Sequence, residues 1–283
     1  MTSPKRKSHE LDLPEIESSK KTKLSSDEES EASEIPISNP NAAPDSHIDH
    51  KAAIAYWSGT EATVSGVLGG FPEVSRVDLQ GSSNFLAKLR RSSKHHPTSK
   101  KLRRAADCGA GIGRITEGLL SQVAEVVDIV EPVKSFTDAV QGKPGVGEIF
   151  NVGLEAWHPD RDGLGPYDLI WNQWCVGQLT DAQLVDYLKR MISVLSEGGW
   201  IVVKENLSNH NLGEDVFDSE DSSVTRTDTK FRELFEKAGL KLVSTELQRA
   251  TVAKLAQRTM PAAHEFLRPD IPSSLFCNRV LVR

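Results

Sequence analysis

Cysteine is scarce in this chain, and its three cysteines, Cys108, Cys175 and Cys277, lie far apart. They form no C-x-x-C pair and no other spacing that suits a metal ion, so the sequence predicts no metal site. Isolated cysteines are typical of reduced thiols in the interior of the cell, where we expect this protein to act.

Long apolar runs are also missing, since no stretch approaches the roughly 20 residues that span a bilayer. The charged start MTSPKRKSHE precedes no apolar core and is not a secretory signal. The formal net charge of -6 argues against a general nucleic-acid binder. We therefore expect no membrane partner and no direct nucleic-acid binding.

Aromatic residues are absent from residues 1–46, which are rich in Ser, Glu, Lys and Pro. Such a segment cannot bury enough apolar surface to offset its chain entropy, so we predict a disordered tail with basic and acidic clusters. PKRK at 4–7 and KKTK at 20–23 resemble a bipartite nuclear-import signal, and a solvated charge run explains them equally well. The expected location is cytoplasmic and nuclear.

Residues 47–283 carry the pattern of a folded domain. Short helical stretches within 47–99, the last of them SNFLAKLRRSS, predict an N-terminal helical cap. Residues 100–283 alternate strands and helices, from strand LRRAAD and helix RITEGLLSQV onwards, and end on two strands without a crossover helix. This order predicts an α/β, doubly wound, Rossmann-like core: a mostly parallel seven-stranded sheet with an antiparallel C-terminal hairpin.

A glycine-rich turn, DCGAGIGR at 107–114, closes the first strand and opens a helix. Glycines that permit a tight turn and close approach to a ligand stand at Gly109, Gly111 and Gly113. The dinucleotide fingerprint G-x-G-x-x-G would need glycine where this chain has Arg114. D-x-G-x-G-x-G instead resembles the first motif of class I S-adenosylmethionine-dependent methyltransferases, which implies S-adenosyl-L-methionine as the cofactor.

The ends of the second and third strands supply further cofactor candidates. Glu131, followed by Pro132, stands where a carboxylate accepts the ribose hydroxyls in both fold families, and a solvated glutamate is the alternative. In the methyltransferase pattern, Leu154 and Glu155 of VGLEAW stand where the adenine amino group is met.

The fourth strand and later segments resemble one subgroup, the protein α-N-terminal methyltransferases, which methylate the terminal amine of proteins that begin X-Pro-Lys. The resemblance rests on IWNQWCVGQLTD, KENLS, DVFDSEDSSVTRTD, YW and TVSGVLGGF, and it covers nearly the whole folded part. It implies that Gly109 and Arg114 hold the carboxylate end of the cofactor, that Glu131 holds its ribose, and that Gln173 also contacts it.

The same resemblance implies how the substrate binds. Trp174 would pack against the entering peptide, and Asn206 would hydrogen-bond its first residue near the amine. The acidic mouth would comprise Asp218, Asp221 and Ser223. The lid over the substrate proline would comprise Tyr56, Trp57 and the VLGGF segment, which includes Leu68 and Gly69.

Elementary chemistry favours the same acidic segment, GEDVFDSEDSS at 213–223. A peptide that begins X-Pro-Lys brings two cationic groups, which carboxylates bind through charge-assisted hydrogen bonds, although a solvated acidic loop is the alternative. Methyl transfer to an amine needs alignment and the removal of one ammonium proton, and Asp221 is the predicted base. Where the family pattern reads Gly-His-Leu-Thr this chain has GQLT, so Gln178 replaces a histidine and cannot accept that proton, which leaves Asp221 or water as the base.

Two other functions stay open. The first is a methyltransferase that acts on a small-molecule amine or hydroxyl, which the acidic segment and the aromatic pair Tyr56–Trp57 disfavour. The second is a non-catalytic adaptor that binds N-terminal peptides, which Gln178 permits and the intact glycine motif disfavours. Arg114 makes a nicotinamide dehydrogenase the least favoured reading of the fold.

Overall fold

The structure, a computed structural model, describes residues 42–161, 163–208, 210–249 and 275–282. Both basic clusters of the predicted tail lie outside these ranges, so the disordered tail stays a prediction. The boundary between residues 46 and 47 also stays a prediction, although a short 3-10 helix, Pro44–His47, spans it. Within the described ranges, no helix is long and apolar enough to cross a membrane.

Nine strands occur in the described part of the chain. They are β1 Leu102–Cys108, β2 Ala124–Val130, β3 Val146–Phe150, β4 Tyr167–Gln173, β5 Leu195–Leu207, β6 Val216–Asp218, β7 Ser223–Thr225, β8 Lys241–Arg249 and β9 Leu275–Val282. Seven of them form one sheet in the order β3-β2-β1-β4-β5-β9-β8. The first five in that order pair in parallel, whereas β9 is antiparallel to both of its neighbours. The predicted fold class is confirmed.

Helices precede and cover this sheet. They are α1 His50–Ser58, α2 Val64–Val67, α3 Val74–Arg91, α4 Ser121–Val123, α5 Lys134–Thr137, α6 Asp181–Ser193 and α7 Asp228–Lys237. The helix predicted after β1 is instead a π-helical turn, Thr116–Leu120, that runs into α4. Gly118 lets this turn pack closely against α3, because a Cβ at position 118 would press against the side chain of Leu79.

The central strand β4 is buried along its whole length because helices cover both faces of the sheet. Ile170 packs into one core, together with Leu184 of α6 and Phe231 of α7. Trp171 packs into the other core, together with Phe85 of α3. Two-sided burial accounts for the continuous apolar run of this strand.

Helix α3 is longer than the predicted stretch, and it begins at Val74. Its inner face combines the apolar Phe85 and Leu86 with the buried polar residues Asp78 and Ser82. The early turns lack the apolar periodicity that marks an amphipathic helix, so the sequence pattern revealed only the later part. The extension brings Asp78 to the edge of the sheet where ligands bind.

The acidic segment 213–223 forms a second, two-stranded sheet instead of an irregular loop. Strands β6 and β7 pair antiparallel, with Phe217 opposite Val224 and Asp218 opposite Ser223. Ser222 closes the turn with a φ of 56°, a left-handed conformation that is costly outside glycine. These strands have three residues each, too few for an alternating pattern to stand out in the sequence.

Candidate active site

A cleft opens at the carboxyl ends of β1, β2 and β4, where ligands bind in open α/β sheets. Its empty volume, open mouth included, is about 1120 Å³. Eight of the nine predicted cofactor residues line it: Gly109, Gly111, Arg114, Glu131, Pro132, Leu154, Glu155 and Gln173. The structure does not place the ninth, Gly113, in the lining; a Cβ there would collide with Val140, so its missing side chain serves packing.

The glycine turn shapes one wall of this cleft. Gly109 has a φ of 66°, and a Cβ on it would collide with the side chain of Cys175 at the end of β4. Gly111 has a φ of 55° and faces open space, so a ligand can approach its backbone. Its amide donates a hydrogen bond to Glu131 Oε2 at 2.8 Å.

Glu131 lines the cleft and is only 6% exposed. Burial raises the pKa of its carboxyl, and hydrogen bonds from the amides of Val133 and Gly111 oppose that rise. Each carboxylate oxygen accepts one of these bonds, at 2.9 Å and 2.8 Å. A carboxylate oxygen can accept more than one donor, so Glu131 can still take two hydroxyl groups of a ribose.

Arg114 enters the cleft from the far end of the glycine turn. Its Nη1 donates to Asp78 Oδ2 at 2.6 Å, and its guanidinium lies 5.2 Å from the centre of the Trp174 ring. Gln173 donates to the same carboxylate through Nε2. Sequence reasoning missed Asp78, because it lies in the early turns of α3 that the sequence pattern did not reveal.

A second cleft, of about 920 Å³ with its mouth, adjoins the first. The residues common to both linings are Trp57, Val67, Leu68, Trp174 and Gln178. Three further predicted residues, Asn206, Asp221 and Ser223, line the second cleft alone. The structure therefore joins a predicted cofactor site to a predicted substrate site along one shared wall.

Trp174 stands in this wall because the chain turns sharply where β4 ends. Its φ of 55° is a left-handed conformation, which a bulky residue adopts only when its surroundings impose it. Its amide donates to the Lys204 carbonyl at 3.0 Å. Glu205 Oε1 then accepts the next two amides, of Cys175 and Val176, at 2.7 Å and 2.9 Å. These bonds to β5 hold the strained turn and keep the indole in the cleft.

Two acceptor oxygens lie buried in the second cleft. Asn206 Oδ1 and Asp221 Oδ1 have no hydrogen-bond partner within the described ranges of the chain. Burial raises the pKa of the Asp221 carboxyl; a hydrogen bond from Ser223 opposes this, and the charges of Asp218 and Glu220 raise it further. Buried acceptors are normally paired, so both oxygens suit a ligand that brings N–H donors.

The remaining predicted substrate residues lie at the mouth and line neither cleft. Tyr56 is 37% exposed, and its ring meets that of Trp57 edge-on with centres 5.1 Å apart. Burial and the charges of Glu220, Asp221 and Asp218 raise the pKa of the Tyr56 hydroxyl, so this side chain faces the acidic hairpin. Asp218 is exposed, and Gly69 turns the chain with a φ of 58°.

The cap supplies cleft residues that sequence reasoning missed. His50, Ala53 and Ile54 of α1 line the first cleft beside Trp57. They stand at positions i, i+3, i+4 and i+7 of one helix face, so the spacing around Trp57 was a usable signal. His50 also contacts α6, because its Nε2 lies 3.2 Å from Gln183 Oε1.

Known proteins resemble this chain over most of its length. A family model described as AdoMet dependent proline di-methyltransferase matches residues 45–263. The alpha N-terminal protein methyltransferase 1 of Schizosaccharomyces pombe is 43% identical over 201 residues, which cover 69% of this chain and 87% of that protein. The N-terminal Xaa-Pro-Lys N-methyltransferase 1 of Xenopus tropicalis is 39% identical over 198 residues, 68% of this chain and 85% of that protein.

A solved structure is similar as well. A SAM-dependent methyltransferase from Leishmania major superposes with a TM-score of 0.65 at 35% identity, and the match covers 82% of each chain. The described residues also fit a cofactor of this chemistry, since a glycine turn, a buried carboxylate and an arginine converge on one cleft. This chain therefore belongs to the family of AdoMet-dependent proline di-methyltransferases, and its cofactor is S-adenosylmethionine.

Proposed function

We propose that this chain methylates the α-amino group of proteins that begin Xaa-Pro-Lys. The observation that carries the proposal is the pair of buried acceptor oxygens, Asn206 Oδ1 and Asp221 Oδ1, in the cleft that adjoins the cofactor cleft. A terminal amine brings the N–H donors that such acceptors require. The substrates in the name of the Xenopus tropicalis relative support the same choice.

The cofactor site is assigned to the first cleft. S-adenosylmethionine, when bound, would supply a methyl group on a sulfonium: the amine nitrogen bonds to the methyl carbon, the sulfur–carbon bond breaks, and S-adenosylhomocysteine leaves as a neutral thioether. Arg114 and the turn at Gly109 and Gly111 hold its carboxylate end, and Glu131 holds its ribose hydroxyls. Pro132, Leu154 and Glu155 border the adenine, and Gln173 closes the cleft beside Arg114.

The peptide is assigned to the second cleft. Trp57, Leu68 and Trp174 form an apolar wall that suits a proline ring, whose missing N–H leaves no donor unsatisfied there. Tyr56 and Gly69 border the mouth. The hairpin residues Asp218 and Ser223, with Asp221, supply the acceptors for the lysine ammonium and the amine.

Asp221 is assigned as the base that removes a proton from the substrate's ammonium group. A terminal amine has an ordinary pKa of about 7.7 to 8.0, so a carboxylate can assist its deprotonation near neutral pH. Gln178 Nε2 lies 3.5 Å from Asp221 Oδ2 and orients that carboxylate without taking the proton itself. Asn206 would align the amine so that its lone pair faces the cofactor methyl group.

Mass spectrometry tests this function directly. The full chain is incubated with S-adenosylmethionine and a peptide that begins Ser-Pro-Lys, beside an N-acetylated copy and a Ser-Ala-Lys copy. We expect mass gains in steps of one methyl on the free Ser-Pro-Lys peptide alone. Equal gains on the acetylated copy would contradict the α-amine as acceptor, and binding without any gain would indicate a peptide-binding adaptor.

We also propose a cytoplasmic and nuclear location, which rests on the basic clusters at 4–7 and 20–23. A fluorescent fusion with the four residues of each cluster replaced by Ser and Ala is the test. We expect the unaltered fusion in both compartments and the altered one excluded from the nucleus. An unchanged distribution would contradict the import signal and leave the methyltransferase function untouched.

A further inference from the structure

Asp78, on the cap helix α3, is charged and yet only 2% exposed. Its Oδ2 accepts from Arg114 Nη1 at 2.6 Å, and its two oxygens lie 3.0 Å and 2.9 Å from Gln173 Nε2. The fully buried Lys204 forms an ion pair with its Oδ1. One carboxylate from the cap thus gathers three polar side chains of the sheet domain.

Two of these three partners line the cofactor cleft, and Asp78 itself does not. Arg114 and Gln173 both donate to Asp78 Oδ2, and both line the cleft. Lys204 faces away from it, since its other contacts are Ser82 Oγ at 2.9 Å and Gln248 Oε1 at 2.8 Å. Asp78 can therefore act on a bound cofactor only through Arg114 and Gln173.

The charges of this cluster do not cancel. Arg114 and Lys204 bring two positive charges and Asp78 brings one negative charge, and burial lowers the pKa of Lys204 while Asp78 opposes that change. Asp107 also lies near Arg114, but burial raises its pKa to about 7, so its negative charge is only partial near neutral pH. A buried excess of positive charge is costly unless an anion balances it. The α-carboxylate of the cofactor is such an anion.

We propose that Asp78 is a positioning residue for the cofactor: it fixes Arg114 and Gln173 so that the guanidinium meets the cofactor α-carboxylate. Nη1 of Arg114 is held by Asp78, which leaves the other N–H groups of the guanidinium for a second carboxylate. The inference rests on the proposed role of Arg114 at the carboxylate end. It also makes the cap helix α3 part of the cofactor site.

The test compares two ligands that differ only at the carboxylate, S-adenosylhomocysteine and its decarboxylated analogue, by titration calorimetry without peptide. Asp78→Asn enlarges the excess of positive charge, which alone would favour a carboxylate ligand, but it also releases Arg114 and Gln173 from the carboxylate that fixes them. If positioning is the role of Asp78, the released side chains outweigh the added charge, and the affinity for S-adenosylhomocysteine falls by about tenfold or more, that for the analogue by less than about twofold. Equal losses for both ligands, or no loss for S-adenosylhomocysteine, would overturn the inference. A loss of folding alone cannot produce the difference between the two ligands.

Arg114→Gln separates this inference from the proposed cofactor site. If Arg114 meets the carboxylate, Arg114→Gln lowers the affinity for S-adenosylhomocysteine more than the affinity for the decarboxylated analogue. Adding Asp78→Asn to Arg114→Gln then lowers the affinity for S-adenosylhomocysteine by less than about twofold more. Equal losses of affinity for the two ligands in Arg114→Gln would instead contradict the assigned role of Arg114. If Arg114→Gln weakened mainly the binding of S-adenosylhomocysteine while Asp78→Asn weakened the binding of both ligands equally, only the role of Asp78 would be overturned.

Two further variants complete the design. Asp168→Asn is the matched control, because Asp168 is also 2% exposed and accepts from Arg103 N and Ser196 Oγ at the opposite end of β4. We expect it to lose stability without distinguishing the two ligands. Should Asp78→Asn fail to fold, Asp78→Glu keeps the charge but shifts the carboxylate, and a smaller loss confined to S-adenosylhomocysteine is expected. A loss shared by both ligands in Asp78→Glu would overturn the inference.

Discussion

The side-chain amide of Gln178 points at the carboxylate of Asp221, with Nε2 3.5 Å from Oδ2. Both residues line the second cleft, and Gln178 also lines the first. An amide holds this carboxylate in place but cannot take up a proton at neutral pH.

Gln178→His introduces a neutral acceptor at the point where the two clefts meet. We expect kcat for a Ser-Pro-Lys peptide to rise by about tenfold, because a positioned general base contributes on that order or more. The acid limb of the pH–rate profile should move towards the ordinary histidine pKa of about 6.5. Gln178→Ala is the control, and an increase in kcat in both variants would show that proton transfer is not the cause.

Asp221→Asn removes the proposed base and keeps the shape of the side chain. We expect kcat to fall by about 10² or more, with the affinity for S-adenosylhomocysteine unchanged. Asp218→Asn is the matched variant on the exposed side of the same hairpin. It should raise the peptide KM several-fold and leave kcat nearly unchanged, because an exposed charge contributes little beyond attraction. Steady-state kinetics that gave the two variants the same profile would contradict these assignments.

Ser222 fastens the acidic hairpin to the cap, because its Oγ accepts a hydrogen bond from the Asp49 amide at 2.7 Å. Ser222→Ala leaves that amide without its partner and should cost about 1–3 kcal/mol of unfolding free energy. Ser222→Gly loses the same bond but relieves the left-handed backbone, so its cost should be smaller by about 1 kcal/mol.

The measurements are urea unfolding and peptide kinetics on both Ser222 variants. We expect a higher peptide KM in each variant, because Ser222 adjoins Asp221. We expect an unchanged affinity for S-adenosylhomocysteine, because Ser222 does not line the cofactor cleft. If Ser222→Gly lost more unfolding free energy than Ser222→Ala, the left-handed backbone of Ser222 would not be a source of strain.

Asp107 makes stability depend on pH. Burial raises its pKa to about 7, and the hydrogen bond from Thr116 and the charge of Arg114 only partly oppose this. Between its ordinary pKa near 4 and about 7, the folded state keeps a proton that the unfolded state has lost, so stability falls as pH rises. The difference between that pKa and the ordinary one corresponds to about 4 kcal/mol of unfolding free energy at most.

Asp107→Asn removes this titration and can still accept the bond that Thr116 Oγ1 donates at 2.6 Å. We expect the variant to gain unfolding free energy relative to the unaltered chain as pH rises from 4 to 8. Urea unfolding at both values of pH gives the difference directly. A difference that stays constant across this range would mean that Asp107 titrates normally.

The lining of the first cleft was largely predictable because its signals are local. The turn at 107–114 and Glu131 follow strands whose apolar runs are plain in the sequence, and parallel strands bring their carboxyl ends to one edge. Gly113 shows the limit of such reasoning, since its place in the motif did not reveal that it packs against Val140.

Sequence alone determined the fold class, the cofactor and many of the residues that line the two clefts, because periodicity, glycine turns and motif spacing are properties of neighbouring positions. Only the tertiary structure decided which of these residues touch. The contacts of Asp78 with Gln173 and Lys204 join positions 95 and 126 residues apart. The strained Trp174 is held by β5, and the hairpin that carries Asp221 is fastened to α1. Contacts of this kind depend on how separate elements pack, and no local pattern records them.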